Sequence, residues 1–69
     1  MEELPFGGYY TPVKDADFWH GGNIYFIETA SGTVVATEAT LEDAKKGASK
    51  LIRPGNTYVI TKVVGVVEP

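Results

Sequence analysis

The stretch NIYFIETASGTVVAT, Asn23 to Thr37, decides the fold. Its first half, Asn23 to Thr29, is rich in aromatic and β-branched residues, which suit a pleated surface. Ala30-Ser31-Gly32 supplies a short hairpin loop with its glycine, and Thr33 to Thr37 returns as a second strand. The first strand is apolar on both faces, with Ile24 and Phe26 on one and Tyr25 and Ile27 on the other. Such a strand needs cover on both sides.

Downstream, Thr40 stands before a helical pattern, with Asp43 three residues later in a near capping box. Leu41, Ala44, Ala48, Leu51 and Ile52 recur at helical spacing as one apolar stripe. Glu42 and Asp43 in the first turn, and Lys50 and Arg53 in the last, both complement the helix dipole. Gly47 within the helix points to close packing on a sheet, since a mid-helix glycine costs about 1 kcal/mol relative to alanine. Pro54 stops the helix and Pro54-Gly55-Asn56 turns the chain. Thr57 to Val67 then reads as one long third strand, in which Gly65 marks a bulge or an end of pairing.

Upstream the pattern changes. Pro5 to Gly22 holds Phe6, Tyr9, Tyr10, Phe18 and Trp19 among prolines and glycines, with no helical or strand period. The expected fold is therefore α+β: a three-stranded, antiparallel-type sheet in β-β-α-β order with one helix on one face, and an irregular aromatic N-terminal arm. Residues 1–22 form the arm and 23–69 the core of a single domain. Whether the last strand lies in the middle or at an edge stays open. The sheet's second face is covered either by the arm or by another molecule.

Composition narrows the function. The chain of 69 residues has no cysteine, a single histidine and a net charge of −3. A Cys/His zinc site within one chain is excluded, and no cofactor is expected. Asp15 and Asp17 lack the ligand run and glycine of a calcium loop. Ser31 and Ser49 have no base near them in sequence, and neither Gly7-Gly8 nor Gly21-Gly22 is followed by the Lys-Ser/Thr of a phosphate loop. The expectation is a protein that is not an enzyme. No apolar run is long enough for a bilayer, and MEELPF has neither part of a signal peptide, so a cytoplasmic location is expected, with no membrane partner.

Binding is the remaining class. Tyr, Trp and Phe dominate interface hot spots, so Phe6, Tyr9, Tyr10 and Trp19 are the candidate partner contacts. Phe18 and Trp19 are also candidates for completing the chain's own core. Lys46, Lys50 and Arg53 follow one another at helical spacing, the alternative being a basic stripe for nucleic acid. The negative net charge weighs against direct nucleic-acid binding. VVGVV, Val63 to Val67, is a β-rich run whose exposure at an edge favours a homodimer or strand addition, which also admits a self-assembling structural protein.

The pieces IYFIE, TVVAT, TLEDAKKGASKLI, RPGNTYVI and TKVVGVV together resemble a type of small bacteriophage and prophage protein. That type has an aromatic strand, a turn, a second strand, a Thr-capped helix, a Pro-Gly turn and a hydrophobic last strand. What the resemblance implies is a β-β-α-β core and a role in the host cytoplasm, binding a host complex such as RNA polymerase or a CRISPR effector and inhibiting or redirecting it. It implies no catalytic residue.

Overall fold

The structure, a computed structural model, describes residues 2–15 and 19–69. Among these described residues six strands and one helix follow in order: β1 (Glu2–Glu3), β2 (Tyr9–Pro12), β3 (Tyr25–Thr29), β4 (Val34–Glu38), α1 (Leu41–Leu51), β5 (Tyr58–Lys62) and β6 (Gly65–Glu68). Short 3-10 turns occupy Val13–Asp15 and Trp19–Gly22. The strands make two antiparallel three-stranded sheets, ordered β1-β2-β6 and β4-β3-β5.

The central hairpin forms as its sequence predicts. Thr29 closes the loop by donating its N–H to the Thr33 carbonyl at 2.9 Å, and its hydroxyl accepts the Thr33 N–H at 3.1 Å. Gly32 takes φ +96°, which a residue with a Cβ adopts only under strain. A bulge between Ile27 and Glu28 shifts the partner from Ala36 to Val34. The helix begins where the capping signal places it, with the Asp43 N–H donating to Thr40 Oγ1 at 3.1 Å. Thr40→Ala is expected to lower stability by about 1 kcal/mol and Thr40→Ser by much less, read from urea midpoints. Equal midpoints for Thr40→Ala and the native chain would contradict the cap.

The helix is shorter than its apolar stripe. Ile52 leaves it at ψ 138°, two residues before Pro54, which has no N–H to continue the helix and whose ring would clash with the carbonyl four residues back. Pro54-Gly55 then makes a tight turn, with Gly55 at φ +86° and the Asn56 N–H donating to the Arg53 carbonyl at 3.0 Å.

β3 is the middle strand of its sheet and β5 an edge. Register puts Tyr25, Ile27, Ala36 and Ile60 on one face, and Phe26, Val34, Thr37, Val59 and Thr61 on the other. The helix covers the first face. Ile27 is 0% exposed there, and a Cβ on Gly47 would sit 3.0 Å from Ile27 Cδ1, so the glycine does let the helix lie close. On the opposite face Val34 and Val59 remain 46% and 44% exposed.

Two features depart from the expected layout. The long third strand is two strands, and part of the arm is regular. β2 pairs with β6 from Tyr9↔Glu68 to Pro12↔Gly65, so the N-terminus joins the C-terminus rather than lying across β3. The reason lies at Val63 and Val64. The Val63 N–H donates to the Ile24 carbonyl at 2.8 Å, while the Val64 carbonyl accepts the Val13 N–H at 3.0 Å. Adjacent residues of an extended chain direct these groups to opposite edges. The segment from Tyr58 to Glu68 is thus a spine whose first half pairs with β3 on one edge and whose second half pairs with β2 on the other.

The result is long and flat, 45 × 21 × 12 Å, with a radius of gyration of 14.2 Å. A compact chain of this length has about 11 Å. Among the described residues only Ile27, Ala44 and Val66 are buried hydrophobics. Phe18, expected to help complete the core, lies outside the described residues, as does the Trp19 side chain. Among the described residues no helix is long and apolar enough to cross a membrane.

Candidate protein interface

The first sheet positions three of the four aromatic candidates. The chain between β1 and β2 is a closed turn: the Gly7 N–H donates to the Leu4 carbonyl at 3.1 Å and the Leu4 N–H to the Gly8 carbonyl at 3.0 Å. Gly7 and Gly8 take φ +106° and +84°. Gly8 also lies against β6, where an added Cβ would stand 3.0 Å from the Glu68 carbonyl oxygen. This turn holds Phe6 at its tip, 98% exposed. A phenyl ring kept in water by a hydrogen-bonded turn contributes nothing to its own core.

Tyr9 stands beside it on β2 and is partly exposed. Register places Glu3 opposite Tyr9 on one side and Glu68 opposite it on the other, so a carboxylate flanks the ring on each side of the same face. Tyr10 faces the other way. Its hydroxyl donates to the Val64 carbonyl at 3.0 Å and its ring covers Gly65, so this side chain is occupied within the molecule. Trp19 belongs to the Trp19–Gly22 turn, at the start of the chain leading into β3.

The basic stripe is not built as its spacing suggests. Lys46 and Lys50 lie exposed on α1, but Arg53 is beyond the helix and its guanidinium donates back to the Ile52 carbonyl at 3.0 Å. The three cations therefore do not share one helix face.

An open groove of about 340 Å³ lies between the β3–β4 loop and the turn before β5, lined by Thr29, Ala30, Ser31, Gly55, Asn56, Thr57 and Tyr58. Ser31 Oγ is hydrogen-bonded to Thr29 Oγ1 at 2.9 Å, and among the described residues no carboxylate, imidazole or amine lines the groove. That lining offers hydrogen bonds but no general base for the hydroxyl. Among the described residues no group of three His, Cys, Asp or Glu side chains is placed to hold a metal ion.

Sequence reasoning missed the acidic flanks. Glu2, Glu3 and Glu68 sit at opposite ends of the chain, and only the β1-β2-β6 register brings them to one sheet. Comparison with family models, with curated proteins and with solved structures finds no match for this chain.

Proposed function

We propose that the protein is a non-catalytic binding module that docks on a protein complex through the Phe6 turn and the acidic-flanked Tyr9. The observation that carries this reading is Phe6 itself, 98% exposed on a turn fixed by two positive-φ glycines. Rigid aromatic anchors of this kind lose little entropy on binding. Glu3 and Glu68 beside Tyr9 favour a partner surface that is basic around an apolar pocket. Enzymes that handle nucleic acid present such surfaces. This fits the role implied by the resemblance to small phage proteins, the inhibition or redirection of a host machine such as RNA polymerase or a CRISPR effector in the host cytoplasm.

The test is capture from lysate of the source or host cell with the tagged full chain, followed by affinity measurement on the complex recovered. Phe6→Ala is expected to weaken binding about tenfold or more and to leave the thermal midpoint unchanged, because the ring touches nothing in its own fold. Lys46→Ala with Lys50→Ala is expected to leave binding intact. A partner held equally by the Phe6→Ala chain but lost with the lysine variant, with binding that weakens steeply in salt, would move the function to the basic helix and nucleic acid.

A further inference from the structure

We propose that the chain forms a two-fold dimer in which β5 pairs antiparallel with β5 of a second copy. This goes beyond the docking role of the Phe6 turn and does not depend on it, since the edge concerned belongs to the other sheet.

The two sheets have four edges, and three of them carry features that discourage pairing. β1 is two residues long and both are glutamates. β4 is broken by the bulge that passes over Val35. The free edge of β6 starts at Gly65 and ends at Glu68, followed by Pro69. β5 differs from all three. It runs regularly from Tyr58 to Lys62, with no proline, glycine or register shift, and its one charge lies at its end.

The hydrogen-bond parity defines what this edge offers. The Val63 N–H reaches Ile24, so Val59, Thr61 and Val63 face β3, and Tyr58, Ile60 and Lys62 turn their N–H and C=O groups outward. Among the described residues those outward groups have no backbone partner. A two-fold axis at Ile60 pairs each outward N–H with an outward carbonyl of the other copy, which is the self-complementarity that a two-fold interface requires.

The side chains favour a second copy as the occupant. Antiparallel pairing about Ile60 sets Tyr58 opposite Lys62 of the second copy, and Val59 opposite its Thr61. No like charges meet, and a cation lands beside an aromatic ring at both ends. Lys62 already makes that kind of contact within the chain, with Nζ 5.8 Å from the centre of the Tyr25 ring. Val59 and Thr61 are β-branched and form a favourable cross-strand pair on the face that the helix leaves open. The product is one six-stranded sheet, β4-β3-β5 joined to its own copy, with both helices on one face.

Sedimentation equilibrium of the full chain tests this. The expected mass approaches twice 7.5 kDa as concentration rises. Tyr58→Lys sets lysine against lysine at both ends of the pair and is expected to raise the dimer dissociation constant about tenfold. Adding Lys62→Glu to that variant makes both contacts opposite in charge and is expected to restore the dimer. In the unaltered chain the amide protons of Ile60 and Lys62 gain protection from exchange with concentration, a readout that needs no variant to fold. A single-chain mass throughout, or a dimer in which Ile60 and Lys62 gain no protection, would overturn the proposal. So would a folded double variant that stays monomeric, or capture of another protein's extended segment on this edge with no self-association.

Discussion

Replacing Gly65 with valine is expected to destabilise the protein by about 2–3 kcal/mol and to open the β2–β6 pairing first. A Cβ at this position would fall inside contact distance of Tyr10 Cε1, Cζ and Oη, and the ring cannot simply swing away. Its hydroxyl is bonded to the Val64 carbonyl at 3.0 Å, and its strand is held on both sides by β1 and β6. The steric origin is separable by a second substitution. Tyr10→Ala removes the ring, so the cost of Gly65→Val measured in that background is expected to be smaller by at least about 1 kcal/mol. Urea unfolding followed by circular dichroism gives all four values. Additive costs, or a Gly65→Val chain within about 0.5 kcal/mol of the native one, would mean that Tyr10 does not close down on the spine.

The largest loss is expected at Ile27. Ile27→Ala removes the one large side chain among the described residues that is fully buried, where such truncations cost about 2–5 kcal/mol. Relief by collapse is limited, because the neighbour above Ile27 Cδ1 is the backbone at Gly47, which has no side chain to move into the space. A single small core supplies only about 3–5 kcal/mol, so this variant is expected to be largely unfolded at 25 °C. Ile27→Val is expected to cost about 1 kcal/mol and to remain folded. A cooperative thermal transition for Ile27→Ala near that of the native chain would show that the helix–sheet contact is not what holds this half together.

The β3–β4–α1–β5 unit was legible because its signals are local. The hairpin is announced by Ala30-Ser31-Gly32, the helix start by Thr40 and Asp43, and the last turn by Pro54-Gly55-Asn56, each within a few residues of the bonds it makes. The first sheet was not legible. Tyr9–Pro12 has too few residues to show a period, and its partner lies at the other end of the chain; Tyr10 and Val64, for example, are 54 positions apart. TKVVGVV reads as one strand because its composition is uniform. The change of edge at Val63 and Val64 is a matter of hydrogen-bond parity, to which side-chain pattern is blind. Gly65 was the one visible trace, and it marks the place where the second half of the spine begins.

The candidate interface divides along the same line. Phe6 and Tyr9 stand exposed, as aromatic residues in an unpatterned segment suggest. Tyr10 looks identical to Tyr9 in sequence, and only Gly65, diagonal to it across the β2–β6 pair and lacking a Cβ, leaves room for its ring to lie inward. Arg53 has helical spacing from Lys46 and Lys50, but Pro54 takes the preceding residues out of the helix before the stripe can be completed. Spacing counts residues along a helix, while the proline sets where the helix stops counting.

The spine joins the two sheets, and amide hydrogen exchange along Tyr58 to Glu68 tests it most directly. At dilutions where any dimer has dissociated, the N–H groups of Val59, Thr61 and Val63 should be protected through β3, those of Val66 and Glu68 through β2, and those of Ile60 and Lys62 should exchange freely. Protection should therefore pass from odd to even positions at Val63–Val64. Protection that stays on odd positions through Val67, or that is absent beyond Val63, would contradict the shared strand and with it the placing of the Phe6 turn.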